Sequence, residues 1–218
     1  MCGHPDDKMG WAAMFGLQIN LPMIAPGDRI GGYAAFGEGA SKYAGGQNLA
    51  GVGLFGGGNN VGMGWVSDGV YLNGGSIQLT TSWAVGVAYE HWWTPQLKST
   101  IYASHSENKY NGAVVAGGWF CGRGGAGTQN IAQVNPTRVC DPAYDFSEVR
   151  FQTSYFPVPG FRLGAEVGYI MVGGGMDGQQ ILLTKTQGAR PTGIYTARDQ
   201  NIIAVALRAQ RGFGGVGE

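Results

Sequence analysis

Residues able to do chemistry are few in this chain, and their spacing is the first question. Gly51, Gly53 and Gly56 fit the pattern G-x-G-x-x-G, as do Gly173, Gly175 and Gly178. Neither run follows a strand pattern and opens a helical one, which a helix N-terminus facing a pyrophosphate requires, so both read as loop. His91 and His105 fall on different strands of one hairpin, far apart along it, and His4 sits near the start, so no converging metal ligands arise. There is no nucleophile elbow. No catalytic, metal or cofactor site is therefore assigned. What remains is a set of charged residues on alternating segments: Glu90, Lys98, Glu148, Arg150, Arg162, Glu166 and Arg208. Counted from the nearest tight turns, Arg150, Glu166 and Arg208 fall at similar depth on neighbouring strands. Mixed charges at one level of a water-filled wall set a transverse field that orders water and grades ions. The competing reading is salt bridges that only prop the wall.

The elements that must position these residues are strands. Seven segments alternate apolar and polar residues: 10–21, 28–39, 76–92, 97–107, 145–157, 161–172 and 198–213. Helical periodicity appears nowhere at useful length. Side chains alternate across a sheet, so 76–92 sets Trp83, Val85, Val87 and Tyr89 against Gln78, Thr80, Ser82, Ala84, Gly86 and Glu90. Likewise 161–172 sets Phe161, Leu163, Ala165, Val167 and Tyr169 against Arg162, Gly164, Glu166 and Gly168. The segment 198–213 opposes Ile203, Val205, Leu207 and Phe213 to Ala204, Ala206, Arg208 and Gln210, and 10–21 opposes Trp11, Phe15, Leu17 and Ile19 to Gly16, Gln18 and Asn20. The segment 28–39 is too rich in glycine for its faces to be assigned.

Connections alternate between two kinds. "PMIAPG" (22–27), "WTPQ" (93–96) and "VPG" (158–160) are tight, each with a proline, whereas 40–75, 108–144 and 173–197 are long and rich in Gly, Asn, Ser and Thr. In an up-and-down meander this puts every short turn at one end and every long loop at the other, the asymmetry of outer-membrane barrels.

Alternation alone fits a soluble sandwich as well, with the apolar face as its core. Aromatic placement favours lipid. Trp11, Trp83 and Tyr169 lie toward the long-loop end of the apolar face, and Tyr89, Tyr155, Phe161 and Phe213 toward the short-turn end. Two aromatic girdles around an aliphatic band are the mark of a transmembrane barrel. About ten residues per strand, tilted near 45°, span roughly the 25 Å band this requires. Composition agrees: 13% of residues are charged, a thin coat for a soluble domain, and the 14 basic residues balance the 14 acidic ones, which argues against nucleic acid. The uncharged stretch Met9 to Gly27 is broken by Gln18, Asn20, Pro22 and Pro26 and is no membrane helix. No signal peptide is visible, so either export is not needed or the true N-terminus lies upstream.

Cys121 and Cys140 bracket a Gly-, Asn- and Pro-rich stretch. A disulfide closing that loop would imply an oxidising compartment and be worth roughly 3 kcal/mol; two free thiols are the alternative. Cys2, the third cysteine, lies near the start.

"GWAAMFGLQINLPMIAPGDRIGGYAAFGEGA" (10–40), "SIQLTTSWAVGVAYEHWWTPQLKSTIYAS" (76–104), the Cys121 to Cys140 loop and "FRLGAEVGYIMV" (161–172) with the closing strand resemble the alphaproteobacterial, rhizobial-type general porins. "QRGF" at 210–213 resembles the C-terminal signature by which outer-membrane proteins are recognised for assembly, with "GGVGE" trailing it as from an altered reading frame or a tag. The resemblance implies a homotrimeric barrel in the bacterial outer membrane, in contact with its lipid, through which small hydrophilic solutes and ions diffuse passively. The resemblance also implies a protein that is non-enzymatic and needs no cofactor. Open porin channels use about 16 to 18 strands, so the chain corresponds to the C-terminal portion of such a porin. It forms one all-β domain over 1–218: a leading loop or start over 1–9, an antiparallel up-and-down partial barrel over 10–213, and a tail over 214–218. The family's signal peptide, and the longer N-terminal half whose inward-folded loop narrows the pore, are not visible. A soluble secreted or periplasmic barrel binding a small ligand inside is the alternative, and it requires Trp83, Val85 and Phe161 to face inward.

Overall fold

The structure, a computed structural model, describes residues 6–44, 51–55, 59–72, 75–117, 131–133, 141–186 and 190–212. Cys121, Cys140 and Phe213 lie outside them, so neither the disulfide nor the last girdle aromatic has a described position. The chain is all-β. Its strands are β1 (Trp11–Asn20), β2 (Arg29–Glu38), β3 (Gly51–Phe55), β4 (Asn60–Val66), β5 (Gly69–Tyr71), β6 (Ile77–Leu79), β7 (Thr81–Thr94), β8 (Leu97–Lys109), β9 (Ile131–Gln133), β10 (Tyr144–Val158), β11 (Phe161–Gly174), β12 (Gln180–Leu183), β13 (Gly193–Ala197) and β14 (Gln200–Arg211). A 3-10 turn at Ser41–Tyr43 and a single α-helical turn and a half at Gly112–Gly117 sit in the long connections.

Seven strands form one antiparallel sheet in the order β1-β2-β7-β8-β10-β11-β14, the meander and the seven segments expected from the alternation. The sheet is open: β1 pairs with β2 and β14 with β11, and no pairing among the described residues joins β1 to β14. The segment expected over 76–92 splits at Thr80, whose N–H bonds to Asp68 O while its carbonyl accepts from Gly39. Its first part, β6, therefore leaves the main sheet and pairs with β5.

Short turns close as their sequences dictate. Pro159 fixes φ and Gly160 takes φ +73°, the type II pattern, bringing Val158 opposite Phe161. In the first turn Leu21 N–H reaches Asp28 O at 2.8 Å, and Gly27 at φ +96° passes so near the Trp92 ring that a Cβ there would lie 2.7 Å from it.

The long connections meet at the other end. β3 and β4 from the first, β9 from the second, and β12 and β13 from the third join into a five-stranded sheet, β3-β4-β13-β12-β9. The first long connection thus carries a hairpin, β3–β4, that pairs into this cap rather than into the meander. The principal apolar core also lies in the cap: Val61, Val70, Tyr110, Val114, Met176, Ile181, Leu183, Tyr195 and Ala197. Among the described residues the meander has no such core on its apolar face. Leu207 is 83% exposed, Val205 74% and, in the middle of the sheet, Val87 51%.

Candidate functional site

Register fixes the two faces of the meander, because residues paired across strands point the same way. Gly86 lies beside Tyr33 and Ser104, and Ser104 beside Glu148. The polar face therefore carries Gln18, Arg29, Tyr33, Glu90, Lys98, Tyr102, Ser104, Glu148, Arg150, Gln152, Ser154, Arg162, Glu166 and Arg208. All seven charged residues picked out from the sequence share it. So does Arg29, which the glycines of β2 had hidden: register assigns Arg29 and Tyr33 to the polar face and Ile30, Ala34 and Phe36 to the apolar one.

Two ionic groups result. Near the short turns, Glu90 lies 3.2 Å from Arg29 and 2.9 Å from Lys98, whose Nζ stands 5.0 Å from the centre of the Trp92 ring. Higher on the wall, Arg150 Nε donates to Glu148 at 2.8 Å and its Nη1 to Glu166 at 2.7 Å. Ser104 donates to Glu148 at 3.2 Å, Gln152 to Glu166 at 3.1 Å, and Arg162 to Gln152 at 2.8 Å and Ser154 at 3.1 Å. Glu166 is in register with Gln152 and Ala206, while Arg150 is level with Gly168 and Arg208 with Gly164. The three expected neighbours are therefore staggered along a diagonal. Arg150 reaches Glu166; Arg208, exposed, joins none of the ion pairs among the described residues.

Glycine gives this wall its shape. A Cβ on Gly86 would run into the Tyr33 ring, and one on Gly168 would lie 3.0 Å from Arg150 Cγ, so both long side chains lie flat over bare backbone. Between them runs an open groove of about 580 Å³ lined by Gln18, Tyr33, Ala88, Tyr102, Ser104 and Glu148 among others. Towards the long loops the same face turns apolar. Tyr144, Phe146 and Val172, with Ile170 beside them, bury Val66 of β4. The β3–β4 hairpin is thus folded over the polar side of the sheet, which the sequence did not disclose.

On the opposite face stand Trp11, Trp83, Tyr89, Tyr155, Phe161 and Tyr169, as expected, joined by Phe36 at 5.6 Å from Trp11 and by Trp93. Trp83 Nε1 donates to Glu107 at 2.8 Å. At the short-turn end Asp28, 1% exposed, accepts from Tyr89 at 2.8 Å and from Trp92 N–H at 2.9 Å, with His91 Nδ1 at 2.7 Å. Burial alone would raise the Asp28 carboxyl, but these three donors outweigh it and hold it below its ordinary value.

Compared with known protein families, with curated proteins and with solved structures, the chain matches none.

Proposed function

We propose that this sheet is the wall of an outer-membrane channel of the general porin type, through which small hydrophilic solutes and ions diffuse passively. One observation carries the proposal: the middle of the meander's apolar face is exposed and aliphatic, the charged groups on that side, such as Asp28 and Glu107, lie at its two ends, and the charged residues of the middle of the sheet face the other way. In water, each uncovered Leu, Ile, Val or Phe forgoes roughly 1.5–3 kcal/mol of burial, and a contiguous patch of this size marks a surface meant for lipid or protein. The soluble alternative needs Trp83, Val85 and Phe161 inside a core, and register sets all three on the exposed face.

The slope of the aromatic rows supports the same orientation. Followed strand to strand, Tyr169 is level with Val149, Ala103, Val87, Gly32 and Leu17, six residues from Trp11 across five strand spacings. At roughly 3.3 Å per residue and 4.8 Å between strands, a level girdle through Trp11 and Tyr169 needs strands tilted by about 40°. Trp83 lies between them: Val87 is four residues from it, three spacings from Tyr169, giving about 42°. Transmembrane barrels tilt by about 35–45°. The intact assembly, on this proposal, sits in the bacterial outer membrane as a homotrimer, the state implied by the family resemblance.

The test uses the chain extended by the strands that close the sheet, in variants retaining a single tryptophan, Trp83 on the apolar face or Trp92 on the polar one, refolded into liposomes with brominated lipid. Strong quenching of Trp83 and weak quenching of Trp92 is expected. Quenching of Trp92 alone, or of neither, would refute the membrane orientation.

A further inference from the structure

We propose that Arg162 and Arg208 form a binding site for small oxyanions on the polar face beside the short turns, and that they, rather than Arg150, give the channel a preference for anions. The site stands on geometry alone; the selectivity rests on the channel proposed above.

Charge pairing on the wall singles out these two residues. Glu90 is held by Arg29 and Lys98, while Glu148 and Glu166 are held by Arg150. Arg162 spends its Nε and one Nη on Ser154 and Gln152, neutral partners that orient the guanidinium without cancelling its charge. Arg208 meets no carboxylate among the described residues. In register Arg208 faces Gly164 and Arg162 faces Gln210, so the two arginines are diagonal neighbours across β11 and β14, about 7–8 Å apart. Between them is Gly164, with no side chain. The position its Cβ would take has Arg208 Cβ at 3.8 Å and Ser154 Oγ at 4.0 Å, and no other side chain among its three nearest neighbours. Ser154 accepts from Arg162, so its own O–H remains to donate. The N–H groups that Arg162 has left, exposed Arg208 on the neighbouring strand and the buried Ser154 hydroxyl flank a bare patch of backbone, a set that suits a phosphate or carboxylate group, since arginine binds such groups through paired N–H donors.

The experiment is arginine modification by phenylglyoxal on the 218-residue chain refolded in a phosphate-free non-ionic detergent, read residue by residue by mass spectrometry, with inorganic phosphate against sodium chloride at matched ionic strength. Arg162 and Arg208 are expected to react well ahead of Arg150, and phosphate to slow both about tenfold, ~1.4 kcal/mol. Gly164→Val, which a strand accepts and which fills the gap, should abolish the protection. Equal reactivity of Arg150, or protection that survives Gly164→Val, would overturn the site. In a conducting assembly, Arg162→Gln with Arg208→Gln should move the reversal potential toward cations; an unchanged potential with protection intact would overturn the selectivity. Protection in the 218-residue chain, with no conductance even from the chain extended by the strands that complete a barrel, would leave the site standing and defeat the channel instead.

Discussion

Arg150 carries a full charge yet little free field, because Glu148 at 2.8 Å and Glu166 at 2.7 Å surround it. All three are partly exposed, so each pair is worth at most about 1 kcal/mol in stability. Reversing the residue has a larger effect on ions: Arg150→Glu sets three carboxylates together and should shift the reversal potential of an intact channel toward cations in a salt gradient, whereas no shift would make the group a strut. Val87, mid-sheet on the apolar face, tests orientation. Val87→Arg should cost roughly 2–4 kcal/mol in a bilayer, measured by denaturant titration in liposomes of the chain extended by the strands that close the sheet. Its neighbour Ala88 lines the groove, and Ala88→Arg should cost much less; equal losses would sink the orientation. Ala84, also on the polar face, is 3% exposed and would be a poor control. Asp28 tests acid stability. Its carboxyl is held below the ordinary value of 3.8, so its contribution is complete above that pH and is lost as pH falls through the lowered value. The groups facing it are His91, Tyr89 and the Trp92 N–H. Asp28→Asn should flatten the acid limb of stability measured between about pH 5 and 2, and an unchanged limb would show that other carboxylates control it.

Strands announce themselves through local alternation, which is why all seven members of the meander were legible from residues such as Trp83, Val85 and Val87. The faces of β2 were not, because Gly31, Gly32 and Gly37 have no side chains to alternate, and only the β7 register resolves them. The cap was illegible for another reason. Its five strands come from three connections, and which short segment pairs with which is a non-local fact that no window of sequence contains. Nor could a list of charged residues foresee Tyr33 over Gly86 or the hydrogen bonds of Ser104, Gln152 and Ser154, which depend on cross-strand neighbours. The β3–β4 hairpin over the polar face is the most consequential of these elements. Val66 anchors it to Phe146 and Val172, and Val66→Asp would bury a charge in that apolar patch. Amide exchange across Asn60–Val66 should then quicken while β10 and β11 stay protected. Unchanged exchange in β4 would mean that the anchor lies elsewhere.

The meander as a whole raises a problem of parity. β1 runs from the long-loop end to the short-turn end, and so does β14, because an odd number of antiparallel strands separates their directions by an even number of reversals. Joining these edges directly would make a parallel pair, whereas bacterial single-chain barrels have even strand counts and antiparallel closure. The cap hairpins do not change the count, since they pair with one another and not with either edge. Among the described residues each edge strand therefore presents a row of N–H and C=O groups without ladder partners. In hydrocarbon every such group costs several kcal/mol, so an open sheet of this kind is not stable there by itself and is prone to edge-to-edge association. Closing it antiparallel requires an odd number of further strands. On the porin proposal, the 218-residue chain refolded into planar bilayers should give no stable channel-sized conductance, while the same chain extended by the strands that complete the barrel should. Well-resolved, uniform conductance steps from the 218-residue chain would require β1 and β14 to close on each other or on strands of a second copy. Either result would overturn the need for added strands.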